Sequence, residues 1–166
     1  ADIGGSFWGV YIGGPFYTFH GWSPAIVQAY AAAGITQFLP IYVGQQATGV
    51  LTAGQGFQDG QEAVQLLQQF GWDIGTPCAL DVESATSESD LAGATAYADG
   101  FCVALRQAKY TPGVYGSLSF LGHLRTQTNH PSFVYAAYWL RQGVDHALEP
   151  GHIPNQSALP DWAWTD

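Results

Sequence analysis

Asp81 and Glu83 are the residues whose type and spacing point most directly to chemistry. They end an apolar run that reads as a buried β-strand, and because side chains alternate across a strand, both carboxyl groups face the same way. Two residues of strand place their backbones about 6 to 7 Å apart, and the side-chain rotamers then set the distance between the two carboxyl groups. Such a pair can divide into an acid and an anion, as hydrolysis of a glycosidic bond requires. The alternative is an ordinary strand end whose acids cap the next helix or bind a cation.

Composition narrows the class of protein. The 166 residues are 47% hydrophobic and 14% aromatic, which predicts a single folded domain over residues 1–166. Only 10% of residues are charged and the net charge is −9, so a polyanion such as nucleic acid is not expected as a partner. No run reaches the roughly 18 apolar residues of a membrane span. The chain lacks methionine and begins at Ala1, which predicts a secreted protein whose signal peptide has been removed.

Strand-like and helix-like segments alternate along the chain. Apolar runs predict strands at residues 7–12, 37–43, 76–83, 111–117, 133–140 and 162–164. Helical spacing predicts helices at residues 24–33, 56–70, 88–109 and 118–125. This order implies a parallel sheet covered by helices, whose functional groups collect at the carboxyl ends of the strands. Besides the two acids, the candidates near those ends are Tyr17, Trp22, Gln45, Tyr115, Trp139, Trp164 and Asp166.

The two cysteines predict a disulfide. Cys78 has the opposite parity to Asp81 in its strand, so it faces the covering helix, and Cys102 lies on the apolar stripe of the helix predicted at residues 88–109. A bridge of this loop length would stabilise the fold by about 3 kcal/mol. Two separate buried thiols are the alternative.

Metal and cofactor chemistry find little support. The five histidines show no spacing typical of a metal site, and the glycine-rich segments lack the nucleotide-binding patterns. We therefore expect no transition metal and no cofactor. A hard cation held by Asp81, Glu83 and Asp166 remains an alternative use of the acids.

Five short motifs, taken in order, resemble a known family. They are VYIGG at residues 10–14, LPIYVG at 39–44, ALDVE at 79–83, GVYGS at 113–117, and a late tryptophan at 139. Their succession resembles the glycoside-hydrolase-like domains of secreted actinobacterial proteins, which are similar to the family 25 lysozymes, the peptidoglycan muramidases. The resemblance extends over nearly the whole chain.

The resemblance implies a (β/α) barrel of TIM type. In it Glu83 would be the general acid, and Asp81 would orient an N-acetyl group or stabilise an oxocarbenium-like state. Tyr115 and Trp139 would line the groove. The family's first strand, which carries an aspartate, has no counterpart here, because Asp2 lies only five residues before the strand at residue 7. A shortened barrel, or one lacking its first β-α unit, is therefore expected, and Ala163 stands where a glutamine is usual.

Together these features predict a glycoside hydrolase-like protein that acts on an N-acetylated glycan such as peptidoglycan. A non-catalytic glycan-binding or cell-wall-associated module on the same scaffold is the alternative. Most aromatic residues are expected in the core, and the best candidates for sugar platforms are Tyr17, Trp22, Tyr115, Trp139 and Trp164. The sequence does not determine the oligomeric state.

Overall fold

The computed structural model describes residues 8–18, 21–46, 50–83, 88–124 and 133–136. Strands and helices alternate through these ranges, as predicted. They are β1 (Trp8–Gly13), α1 (Pro24–Ala32), β2 (Phe38–Val43), α2 (Ala53–Gln69), β3 (Pro77–Val82), α3 (Glu88–Gln107), β4 (Thr111–Gly116), α4 (Leu118–Leu124) and β5 (Phe133–Ala136). The strand predicted at residues 162–164 lies outside the described residues.

Helix α2 begins three residues earlier than the apolar periodicity predicted. Thr52 caps it, because its side chain accepts a hydrogen bond from the Gln55 backbone while the Gln55 side chain accepts one from the Thr52 backbone. This capping box satisfies two backbone N–H groups that a helix start otherwise leaves unpaired. The first turn is therefore set by polar capping rather than by burial.

The described strands form one parallel sheet whose spatial order, β1-β2-β3-β4-β5, follows the order of the chain. Each strand thus pairs with the next one across a helical connection. A doubly wound sheet reverses its strand order partway, whereas consecutive order is the rule in the wall of a (β/α) barrel. The observed fold is an α/β parallel sheet consistent with part of a TIM-type scaffold.

One face of the sheet packs against α2 and α3 to form the core. The strand residues pointing to this helical face are fully buried: Val10, Tyr42, Cys78, Leu80, Val82 and Val114. The ring of Tyr42 lies 5.6 Å from that of Phe101 in α3. Side chains of the opposite parity, Asp81 among them, therefore point to the other face of the sheet, here called the carboxylate face.

Helices α2 and α3 meet backbone to backbone through glycines. A Cβ atom added at Gly56 would lie 1.8 Å from the carbonyl oxygen of Tyr97, and one added at Gly100 would lie 2.0 Å from that of Ala53. No side chain fits in such a space. The two helices are therefore held together at a distance that only glycine allows.

The predicted disulfide is wrong. Cys78 and Cys102 are both free and completely buried, and burial raises the pKa of both thiols, that of Cys102 to about 12. Strand parity correctly turned Cys78 towards the helices. It does not fix the separation of the two Cα atoms, and a disulfide tolerates only a narrow range of separations. The cysteines fill the core as small apolar side chains.

Within the described ranges, none of the helices combines the length and the apolar character needed to cross a membrane.

We expect Gly56→Ala to destabilise the protein by about 3 kcal/mol, because the added methyl group drives α2 away from α3. Gly54→Ala is the matched control in the same helix. Its nearest non-neighbouring atom would be 3.9 Å away, so it should stabilise by roughly 0.5 to 1 kcal/mol through helix propensity. Urea unfolding monitored by circular dichroism measures both. Equal effects of the two substitutions would show that the helices do not meet as described.

The free cysteines predict that reductant has no effect on stability. Dithiothreitol should leave the melting temperature unchanged, and a thiol reagent should label the two cysteines only after denaturation, because both thiols are buried and protonated. A lowered melting temperature in dithiothreitol would mean that a disulfide is present.

Candidate functional site

Asp81 and Glu83 meet at the carboxyl end of β3. The side chain of Asp81 is only 5% exposed, that of Glu83 is half-buried, and the two carboxyl groups hydrogen bond to each other. The second Asp81 oxygen, Oδ1, is buried and has no hydrogen-bond partner among the described residues. A buried oxygen with unused acceptor capacity carries a free-energy cost.

The electrostatics of the pair keep a proton on it near neutral pH. Burial is the largest cause that raises the pKa of Asp81 to about 7, followed by the negative charge and the hydrogen bond of Glu83, while the Gln46 amide acts in the opposite direction. An exposed aspartate has already lost its proton at this pH. The pair therefore combines one acid with one anion.

Two tyrosines, one on the adjacent strand β4 and one on β1 beyond β2, lie close to this pair. Tyr115 is the β4 residue in register with Asp81, and Tyr11 lies on β1. Burial, and then the charges of both carboxyl groups, raise the pKa of each phenol, that of Tyr115 to about 12. Both tyrosines therefore remain protonated and able to donate hydrogen bonds at neutral pH.

Tyr17 adjoins this cluster, whereas Trp22 lies elsewhere. The rings of Tyr11 and Tyr17 are nearly parallel, with centroids 6.5 Å apart and an interplanar angle of 15°. The ring of Trp22 instead packs against Tyr30 of α1, at 5.8 Å. The remaining predicted site residues, Trp139, Trp164 and Asp166, lie outside the described residues.

The loop after β2 contributes through Gln46 as well as through the predicted Gln45. The backbone N–H of Gln45 donates to the hydroxyl group of Tyr97, at 3.0 Å. The side-chain amide of Gln46 bonds the end of β3: it donates to the carbonyl oxygen of Asp81 at 3.2 Å and accepts from the backbone N–H of Glu83 at 2.9 Å.

Sequence reasoning did not single out Tyr11 or Gln46. Alternation along β1 carried a signal for Tyr11, because it lies between the core residues Val10 and Ile12 and must point to the carboxylate face. Nothing local distinguishes Gln46 from Gln45. Its role depends on contacts with a strand 35 and 37 residues further along the chain.

No three His, Cys, Asp or Glu side chains of the described ranges are grouped as a metal site would require. The chemistry that these ranges do provide is that of a proton donor beside an anion, with phenol groups next to them. This arrangement can protonate a leaving oxygen and stabilise a developing positive charge.

A protein-family model described as the Rv2525c-like, glycoside hydrolase-like domain matches residues 2–164 of the chain. A search of curated protein sequences gives no match.

Solved structures share the fold at low sequence identity. An uncharacterized protein of B. stearothermophilus matches with a TM-score of 0.62 and 18% identity, over 80% of this chain and 63% of that protein. The Tat-secreted protein Rv2525c of Mycobacterium tuberculosis, in complex with L-tartrate, gives 0.64 and 14%, over 85% and 71%. The autolysin LytC of Streptococcus pneumoniae, in complex with a synthetic peptidoglycan ligand, gives 0.55 and 14%, over 82% and 33%.

The matched proteins share this fold, but the chain covers different shares of their lengths. The chain spans less than two thirds of the B. stearothermophilus protein and about a third of LytC. At these identities the likeness concerns the fold alone.

The raised pKa of Asp81 predicts a stability that depends on pH. The folded state binds this proton more tightly than the unfolded state. The contribution of Asp81 to the free energy of unfolding is therefore fully present below about pH 4 and is lost as the pH rises through about 7. Asp81→Asn resembles the protonated acid and should be more stable than the wild type by roughly 2 kcal/mol at about pH 8, but not at about pH 4.

Urea unfolding across this pH range measures the difference. Asp73→Asn is the control, because Asp73 is exposed and precedes β3 at its opposite end. A wild type that becomes more stable from about pH 4 to about pH 8, relative to Asp81→Asn, would contradict the raised pKa.

Proposed function

We propose that this chain, which belongs to the family of Rv2525c-like, glycoside hydrolase-like domains, hydrolyses an N-acetylated cell-wall glycan such as peptidoglycan, using Asp81 and Glu83. The family assignment agrees with the resemblance of its sequence motifs. The substrate and the residue roles are inferences from the site.

The observation that carries this proposal is the hydrogen-bonded pair of carboxyl groups that retains a proton near neutral pH. Glu83 is the more exposed of the two, so it donates the proton to the glycosidic oxygen and the bond to the sugar carbon breaks. Asp81 then stabilises the positive charge left on the sugar, or orients the N-acetyl group that attacks it.

Tyrosines supply the groups that bind the sugar. The stacked rings of Tyr11 and Tyr17 offer an apolar surface for the C–H face of a saccharide, and the phenol of Tyr115 offers a hydrogen-bond donor beside the acid. The complexes of LytC with a synthetic peptidoglycan ligand and of Rv2525c with L-tartrate support a polyhydroxylated ligand. Trp139, Trp164 and Asp166 complete the groove in this proposal, together with Gln45, whereas Trp22 packs on Tyr30 and is left out of it.

The scaffold proposed for this site is a TIM-type barrel. The consecutive parallel order of the strands and the likeness to LytC and Rv2525c support it. Secretion is proposed with it, because Rv2525c is itself a Tat-secreted protein.

Glycan binding without turnover is the second candidate function. Its support is the first described strand, which presents Gly9 and Tyr11 to the carboxylate face and adds no acid to the pair at the end of β3. Asp81 and Glu83 are the carboxyl groups on that face within the described ranges. A site with these two acids and the tyrosines beside them retains the means to bind a sugar.

Turnover by Glu83→Gln distinguishes the two functions. If Glu83 is the acid, the substitution should lower the release of reducing ends from purified peptidoglycan, or from N-acetylglucosamine oligomers, by about 10² or more. Binding of the same oligomer should change little, because glutamine has the same shape. Asp73→Asn is the control for the loss of one negative charge far from the site.

One result would contradict hydrolysis, and another would contradict the role of Glu83. A wild type that binds the oligomers but releases no reducing ends would favour the binding module. A Glu83→Gln variant with undiminished turnover would place the acid on another residue.

A further inference from the structure

The ladder between β2 and β3 ends just before Glu83. Its last pair joins Val43 to Asp81, and the N–H of Gly44 donates to the carbonyl oxygen of Asp81 at 3.0 Å. Beyond Gly44 the backbone of β2 leaves the sheet. The N–H of Glu83 therefore has no backbone partner on the β2 side.

The side chain of Gln46 takes the position of that missing partner. In a parallel ladder, a residue donates its N–H to the carbonyl oxygen of the residue that precedes its partner on the next strand. Its own carbonyl oxygen accepts from the N–H of the residue that follows that partner. The Gln46 amide does the same around Val82, since it donates to Asp81 at 3.2 Å and accepts from Glu83 at 2.9 Å. It also donates to the carbonyl oxygen of its own loop, at Gly44, over 3.5 Å.

The loop that carries Gln46 is anchored from the helical side. Tyr97 of α3 is fully buried; its hydroxyl group accepts from the N–H of Gln45 at 3.0 Å and donates to the carboxylate of Asp59 in α2. Gly44 packs directly against the same phenol, because a Cβ atom there would lie 3.0 Å from the hydroxyl oxygen. The position of Gln46 is therefore set by both helices as well as by β2.

We infer that Gln46 is a positioning residue for Glu83: its side-chain amide extends the β2–β3 ladder by one step and fixes the backbone that aims the acid. This role rests on the proposed function. Glu83 lies just past the last strand residue, Val82, where the backbone would otherwise be free to turn. An error of about 1 Å in the placement of a reacting group can cost about 10² in rate.

Gln46→Met tests the inference, because methionine has a similar length and cannot make either hydrogen bond. Hydrogen exchange of the Glu83 amide, measured by NMR, should become at least about tenfold faster, while the amides within β3 keep their protection. Gln46→Glu keeps an acceptor oxygen at the same reach and should retain slow exchange at Glu83. Gln65→Met, on the exposed side of α2, is the matched control and should change nothing.

The same variants are assayed on N-acetylglucosamine oligomers. With Gln46→Met, kcat should fall by about tenfold or more while KM changes by less than about threefold, because positioning acts on the transition state rather than on ground-state binding. Unchanged exchange at Glu83, or faster exchange with unchanged kcat, would overturn the inference. Glu83 would still be the acid if Glu83→Gln is inactive.

If the wild type shows no turnover, the proposed function fails separately and the positioning role is judged on the carboxyl groups. NMR titration of the Asp81 and Glu83 side-chain carbons then reports the pair directly. A higher apparent pKa of the pair in Gln46→Met, together with faster exchange, supports the positioning role at a binding site. A titration identical to that of the wild type overturns it.

Discussion

Contact between the backbones of α2 and α3 sets the geometry on which the site depends. Because Gly56 and Gly100 carry no Cβ atom, the two helices approach until backbone touches backbone. At that distance the Tyr97 hydroxyl, on α3, reaches the carboxylate of Asp59 on α2 and the loop after β2 at the same time. A wider helix pair would leave the phenol without one of these partners. Packing in the core is thus connected to the end of β3 by a short series of hydrogen bonds.

The carboxyl pair illustrates how a fold keeps an acid protonated near neutral pH. Asp81 is buried, and its nearest charge is the negative one of Glu83, so ionisation is disfavoured twice. The described arginine and lysine residues, Arg106 and Lys109, lie at or just beyond the end of α3, where the chain turns back to start β4 at the opposite end of the sheet. No described cation therefore offsets the burial. A pair of this kind lowers the stability of the folded protein above neutral pH.

The site also shows why a shared scaffold and a shared activity are separate matters. The two acids lie at the end of β3, and the residues near them on β4 and β1 are tyrosines, not further acids. An arrangement of this kind can bind a sugar whether or not it cleaves one. The backbone that carries Glu83 is held by the amide of Gln46. Fold likeness to LytC and Rv2525c does not reach this level of detail.

The sequence by itself determined what depends on neighbours along the chain. Period-two and helical patterns located the alternating elements, and strand parity separated Asp81 from Cys78, because both patterns are local geometry. The order of the motifs, which is also read along the chain, indicated the family. Only the tertiary structure decided that the cysteines are unbonded, that Asp81 titrates near pH 7, that Trp22 packs on Tyr30, and that Gln46 bonds β3. Each of these depends on distances and burial between segments remote in sequence, which no local pattern specifies.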